Sequence, residues 1–95
     1  MSPAHIYFNG AKLNYVYLLK RVDSDKYYLG FTTDLKRRFY EHNNGYGCKT
    51  TKGYRWQLVY YESYLTEELA RKRETQLKNN RGSKRALYKR LDILK

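Results

Sequence analysis

Eighteen residues near the start of the chain, Asn14 to Phe31, leave it few possible folds. Asn14 to Arg21 alternates, with Tyr15, Tyr17 and Leu19 on one side and Val16 and Leu18 on the other, the period of a strand. Asp23-Ser24-Asp25 is turn chemistry, and Lys26 to Phe31 is a second ring-rich strand. The two form a hairpin whose loop parity matters, because a slip of one residue moves every side chain to the opposite face. Pairing Arg21 with Lys26, or Val22 with Asp25, leaves an even loop and puts Tyr17 and Tyr28 on one face. An odd loop would separate them, and the even case is expected.

The rest of the chain reads as helices and one more strand. Thr33 is the expected N-cap of a helix over Leu35 to Asn43, with Asp34 in its first turn. Leu35 and Phe39 form its apolar stripe, and Arg38 and His42, also four apart, border that stripe. Asn44 to Gly53 is a glycine-rich loop, and Trp56 to Tyr61 is a third strand. Thr66 opens a second helix with Leu69, Ala70, Arg73 and Leu77 inward and Glu74 at the edge of that face. Asn79, Asn80 and Gly82 end it, and Ser83 caps a last helix carrying Leu87, Leu91 and Leu94. The order is ββα-β-αα: class α+β, a small three-stranded antiparallel sheet flanked by helices. Residues 14–95 form one domain. Residues 1–13 are a lead-in that either adds an edge strand through Ile6-Tyr7-Phe8 or stays flexible.

Charge narrows the function. Twenty Lys and Arg against nine Asp and Glu give +11, an excess that repels itself until a polyanion neutralises it. Nucleic acid is the leading partner, ahead of an anionic membrane surface, and no apolar run approaches membrane length. The single cysteine, Cys48, cannot form an internal disulfide, and the N-terminus lacks a secretory pattern, so the cytoplasm is expected. His5 and His42 lie far apart and no Cys or His pair has zinc spacing. Two phenols, a guanidinium and an imidazole at controlled spacing on a basic chain point to phosphate chemistry on a nucleic acid.

Tyr15-Val16-Tyr17, Tyr28-Leu29-Gly30, Arg38, His42 and Glu74, in that order, resemble the GIY-YIG nuclease superfamily. The likeness runs from about Asn14 to about Lys89 and is greatest to the stand-alone, single-domain bacterial branch, the YhbQ type. Tyr15 occupies the position of the first glycine of the family pattern. The resemblance implies a GIY-YIG fold and a divalent-metal-dependent endonuclease that hydrolyses phosphodiester bonds. DNA is the expected substrate ahead of RNA, with selectivity for branched or single-stranded structures.

Each residue then has an expected role beside a plainer one. Arg38 neutralises charge on the transition state, or is one more surface cation. The resemblance makes Glu74 the ligand of one Mg²⁺, with Mn²⁺ as substitute; the plain reading is an ion pair with Lys78. The other acids form no tight cluster for a second ion, so a one-metal site is expected. Tyr17 activates the water, its phenol lowered by Arg38 or by the ion, or is a packing ring. Tyr28 orients Tyr17 or the phosphate, His42 relays a proton or contacts phosphate, and Gly30 leaves room for close backbone approach. Lys36, Arg37, Lys49, Lys52, Arg81, Lys84 and Arg85 grip the backbone of the nucleic acid without reading sequence. Tyr40, Tyr46 and Tyr54 either stack on unpaired bases or pack at the surface. Cys48 is a small filler. Two other readings stand: a non-catalytic module binding structured RNA or DNA, and a subunit that cuts where a protein partner places it. A monomer is the default.

Overall fold

The computed structural model describes residues 7, 8 and 10–94. A two-residue strand β1 (Tyr7–Phe8) pairs with β2 (Ala11–Lys12) in a small separate sheet, so Tyr7 and Phe8 do not extend the main one. Ile6 and the rest of residues 1–6 lie outside the described residues. The main sheet contains β3 (Asn14–Arg21), β4 (Tyr27–Thr32) and β5 (Trp56–Tyr64) in the order β4-β3-β5, antiparallel throughout. Helices α1 (Leu35–Asn43), α2 (Glu67–Asn79) and α3 (Arg81–Arg90) complete the ββα-β-αα order. The fold is α+β, with the third strand running three residues beyond its expected end at Tyr61.

The hairpin has the even loop. Arg21 N–H donates to Lys26 O at 2.9 Å, Leu19 faces Tyr28, and Tyr17 faces Gly30. Tyr17 and Tyr28 therefore share a face. On β5 the register slips between Leu18 and Leu19, which pair with Tyr60 and Leu58, so Val59 is the extra residue of a bulge.

Strand β3 is buried on both faces from Asn14 to Leu19. Its Val16 side packs on Ala70 and Leu77 of α2 and Leu87 of α3. Its Tyr17 and Leu19 side packs with Trp56, Tyr28 and Leu58, under Leu35 and Phe39 of α1. A central strand between two helical layers has no wet face, which is why its run from Tyr15 to Leu19 is apolar or aromatic.

Three local expectations are corrected. Asp34, not Thr33, caps α1: Thr32 Oγ1 takes the Asp34 N–H at 3.0 Å, and Asp34 Oδ1 then accepts from Arg37 N at 3.1 Å. Asn80, not Ser83, caps α3, accepting from Ser83 N at 2.9 Å, so Gly82 and Ser83 fall inside that helix. Leu69 is 48% exposed and not part of the inner face of α2, because a stripe of Ala70, Leu77 and the Arg73 stem already meets the sheet. Thr66 does cap α2, accepting from Leu69 N at 3.2 Å.

Candidate active site

The site is built around the Tyr17 phenol. Tyr17 points to the α1 side of the sheet and lies across Gly30 on the edge strand β4. A Cβ at Gly30 would stand 2.5 Å from Tyr17 Cζ, so only glycine admits the ring. The close approach at Gly30 is thus by a side chain, where a backbone was expected. Arg38 and His42 stand four positions apart on α1, and that spacing puts both on the helix face toward the ring.

His42 is 1% exposed. Its Nε2 lies 2.7 Å from the Tyr17 hydroxyl and its Nδ1 lies 2.7 Å from Thr51 Oγ1. Both ring nitrogens thus have partners within the protein. Burial, with the Arg38 charge beside it, pulls the imidazole down to about 4, so the ring is neutral at physiological pH. Tyr28 stands beside both rings, 6.4 Å from Tyr17 and 5.0 Å from His42 between centroids. Burial, with the Cys48 thiol nearby, pushes its phenol up. Burial also opposes the Cys48 thiolate, but hydrogen bonds from Tyr28, Thr51 and nearby backbone outweigh it and bring the thiol below its ordinary value.

Arg38 donates from Nη1 to Glu41 Oε1 at 3.0 Å. Its charge draws the Tyr17 phenol down, as expected. Burial wins over the guanidinium and the phenol is pushed up to about 12. The charges of Cys48 and then Glu74 add to that rise. Arg38 stands on α1 and Glu74 on α2, the helices that cover the two faces of the sheet. Glu74 also forms the plainly expected ion pair, Oε2 to Lys78 Nζ at 3.0 Å, with its side chain only 16% exposed.

Among the described residues no three His, Cys, Asp or Glu side chains group to hold a metal. Mg²⁺ does not require such a cage. It takes one or two carboxylates and completes its octahedron with water and substrate phosphate. A single, largely buried carboxylate such as Glu74 fits that ion and does not fit a structural zinc.

The cations expected to grip nucleic acid, Lys36, Arg37, Lys49, Lys52, Arg81, Lys84 and Arg85, are all exposed. Arg37 is partly spent on Glu41, at 3.2 Å. Arg81, Lys84 and Arg85 line one cavity of about 350 Å³ with Lys78, Tyr88 and Leu94. Lys78 joins that cavity to Glu74. Tyr40 and Tyr46 are exposed at 59% and 72%, and the Tyr54 ring lies 3.6 Å under the Arg21 guanidinium. Thr51, which is fully buried, was not singled out from sequence. It lies nine residues from His42 at no helical spacing, and only the fold-back of the Gly47–Cys48 loop brings it there. A glycine before it is the one available signal: a Cβ on Gly47 would stand 2.5 Å from Thr51 Oγ1 and 2.6 Å from His42 Nδ1.

Residues 13–89 match the model of the GIY-YIG catalytic domain. A UPF0213 protein of Haloquadratum walsbyi is 42% identical over 67 residues, 70% of this chain and 74% of its own length. One of Staphylococcus saprophyticus is 42% identical over 66 residues, 68% of this chain and 79% of its own. The solution structure of a UPF0213 protein of Bacillus halodurans is 34% identical, with a TM-score of 0.49, covering 81% of this chain and 83% of that one. A domain match over nearly the whole strand-and-helix core, joined by relatives of one kind matched over about three quarters of their length, assigns the lineage: this chain belongs to the GIY-YIG domain family, among the UPF0213 proteins.

Proposed function

We propose that this protein is a Mg²⁺-dependent endonuclease that hydrolyses phosphodiester bonds in DNA. The observation that supports this reading is that Tyr17, Tyr28 and His42 come together on the α1 side of the sheet, with the Tyr17 hydroxyl 2.7 Å from His42 Nε2, in a chain whose residues 13–89 match the GIY-YIG catalytic domain. Arg38 has a charge that never titrates and a planar fork for two phosphate oxygens. A phenol held at about 12 stays protonated at neutral pH. It orients the attacking water, and takes a proton from it only as its own leaves for His42. Glu74 holds the divalent ion, which supplies charge stabilisation to the departing oxygen. Tyr28 packs Tyr17 and His42 into one geometry. The cavity of Lys78, Arg81, Lys84 and Arg85 takes backbone phosphate beyond the scissile bond. A lone free thiol at Cys48 supports work in a reducing compartment, the cytoplasm.

The test is incubation of the chain with forked, flapped, single-stranded and duplex DNA and with structured RNA, with and without Mg²⁺. Wild type should cut in a metal-dependent way. Arg38→Ala and Glu74→Ala should lose at least about 10²-fold in rate while still binding. Cutting at equal rates by all three proteins overturns the assignment. One observation favours a second reading, a nucleic-acid-binding module without turnover: Arg38 and Glu74 each already have an internal partner, Glu41 and Lys78. That reading predicts salt-dependent binding and no cleavage across the same panel.

A further inference from the structure

The buried chain Tyr17–His42–Thr51 has a direction. Tyr17 is 1% exposed, its hydroxyl lies 2.7 Å from His42 Nε2, and the nearby charge of Arg38 acts on the same phenol. Arg38 has donors only, so His42 Nε2 is the acceptor left for the Tyr17 O–H. An Nε2 that carried hydrogen would orphan that buried hydroxyl proton, a costly arrangement in a protein whose described buried side chains all have partners. At the other end, Thr51 Oγ1 lies 3.1 Å from the Cys48 carbonyl oxygen, to which it can only donate. The threonine hydroxyl has one hydrogen, so toward His42 it accepts. Both ends demand the same tautomer: hydrogen on Nδ1, lone pair on Nε2. The packing is specific to this purpose. Thr51 is fully buried, its carbonyl is fixed by Trp56 Nε1 at 2.9 Å, and Gly47 has no room for a Cβ against either partner.

We infer that Thr51 is a positioning residue that holds His42 in the Nδ1–H tautomer, so that Nε2 receives the Tyr17 proton while the phenol takes one from the attacking water. This rests on the nuclease reading for its rate consequence but not for its structural one. In the forward step a water proton passes to Tyr17 oxygen, the Tyr17 proton passes to Nε2, and the hydroxide bonds to phosphorus. His42 is then an imidazolium donating to Thr51. As the ester oxygen leaves it takes a proton from solvent water, and the imidazolium proton returns through Tyr17 to neutralise the hydroxide so formed. The sum is one phosphodiester and one water converted to a phosphomonoester and an alcohol. The neutral imidazole at rest suits this polarity, because an imidazolium could not accept.

The test uses ¹⁵N-labelled full-length protein without substrate, reading the two His42 ring nitrogens by long-range ¹H–¹⁵N correlation at neutral pH. Wild type should show a protonated Nδ1 and a bare Nε2. Thr51→Ser should keep that pattern, and Thr51→Val, which removes the acceptor at similar volume, should shift the ring toward Nε2–H. In cleavage assays Thr51→Val should lose about tenfold in kcat with KM within about twofold, and Thr51→Ser should restore the rate. A wild-type ring protonated on Nε2 overturns the inference, as does a Thr51→Val protein with unchanged tautomer and unchanged kcat. If Thr51→Val does not fold, the wild-type and Thr51→Ser spectra decide alone. Absence of cleavage by wild type would overturn the nuclease reading and leave the tautomer result standing.

Discussion

The Tyr17 ring occupies space that a single hydrogen on Gly30 makes available, and that dependence can be measured. Gly30→Ala forces a methyl to 2.5 Å from Tyr17 Cζ, so the ring must leave its place or the strands must part. Overpacking of this kind costs about 1–3 kcal/mol, and the denaturation midpoint should fall accordingly with the slope m unchanged. Cleavage should be lost with it, and an alanine variant of native stability would show that the ring has another home. His42 gives a second test. Its imidazole titrates near 4 in the fold against 6.5 in an unfolded chain, held there by burial and by Arg38, with Glu41 opposing and with Tyr17, Tyr28 and Thr51 uncharged around it. The unfolded state binds the proton first, so this stability is whole above pH 6.5 and is lost as pH falls toward 4. The stability advantage of wild type over His42→Gln should therefore shrink across that window, by about 1.4 kcal/mol per pH step. Urea titrations from pH 7 to 4 check it, and a constant difference would refute it. The positions of these residues were legible in sequence, because strand alternation and a four-residue helical step fix neighbours without knowledge of the fold. Their proton chemistry was not. Whether Arg38 or burial controls the Tyr17 phenol depends on how many atoms surround the oxygen, and no spacing rule encodes that.

The elements are tied together by charge as well as by apolar packing. Glu62 on β5 is the main clamp. Its carboxylate accepts from Arg73 Nε at 3.0 Å and Nη2 at 3.1 Å, from the Tyr60 hydroxyl at 2.8 Å, and from the Tyr64 hydroxyl. Arg90 of α3 closes the set by donating to the Tyr60 oxygen at 2.9 Å. One carboxylate therefore joins β5 to α2 directly and to α3 through a phenol. Its side chain is 13% exposed, against 60% for Glu67 in the surface pair with Arg71. Glu62→Ala strands a guanidinium and two hydroxyls and should cost about 2–3 kcal/mol in denaturant unfolding, whereas Glu67→Ala should cost less than about 1. Equal losses would mean that burial of the pair is irrelevant. None of this was read from sequence, since Glu62 and Arg73 lie eleven residues apart on different elements. The caps show a milder version of the same limit. Thr33-Asp34 and Asn80 through Ser83 each offer two competent cap residues, and the choice fell to whichever left its neighbour a second hydrogen bond, Asp34 after Thr32 and Asn80 before Ser83. Element order and type survived because they follow from long periodic runs; ends moved because they follow from single bonds.

At the scale of the molecule, +11 is too general a property to locate an interface, and the fold concentrates part of it. The α2–α3 junction gathers Lys78, Arg81, Lys84 and Arg85 around one cavity with no acid on its wall. Elsewhere cations are neutralised within the chain: Arg21 by Asp23, Arg37 and Arg38 by Glu41, Arg71 by Glu67, Arg73 by Glu62. Lys78 is paired with Glu74, but Arg81, Lys84 and Arg85 have no carboxylate partner among the described residues. These three repel one another until an anion enters, so this junction should contribute more to nucleic-acid affinity than an equal number of paired arginines. Sequence named three of the four as backbone contacts but could not separate them from Lys36 or Arg37, because pairing is a three-dimensional fact. Binding of a single-stranded oligonucleotide should fall as salt rises, with log K falling by about 0.7 per decade of salt for each phosphate contacted. Replacing Lys84 and Arg85 with Gln should flatten that slope by about 0.7 for each contact removed and weaken binding at low salt most. Replacing Arg37 and Arg71, which already have carboxylate partners, should change the slope much less. Both pairs are exposed, so neither change disturbs the core. Fluorescence anisotropy at four or five salt concentrations distinguishes them. If the paired arginines flatten the slope as much as the cavity residues do, the chain binds by its overall charge, and the α2–α3 junction is not a site.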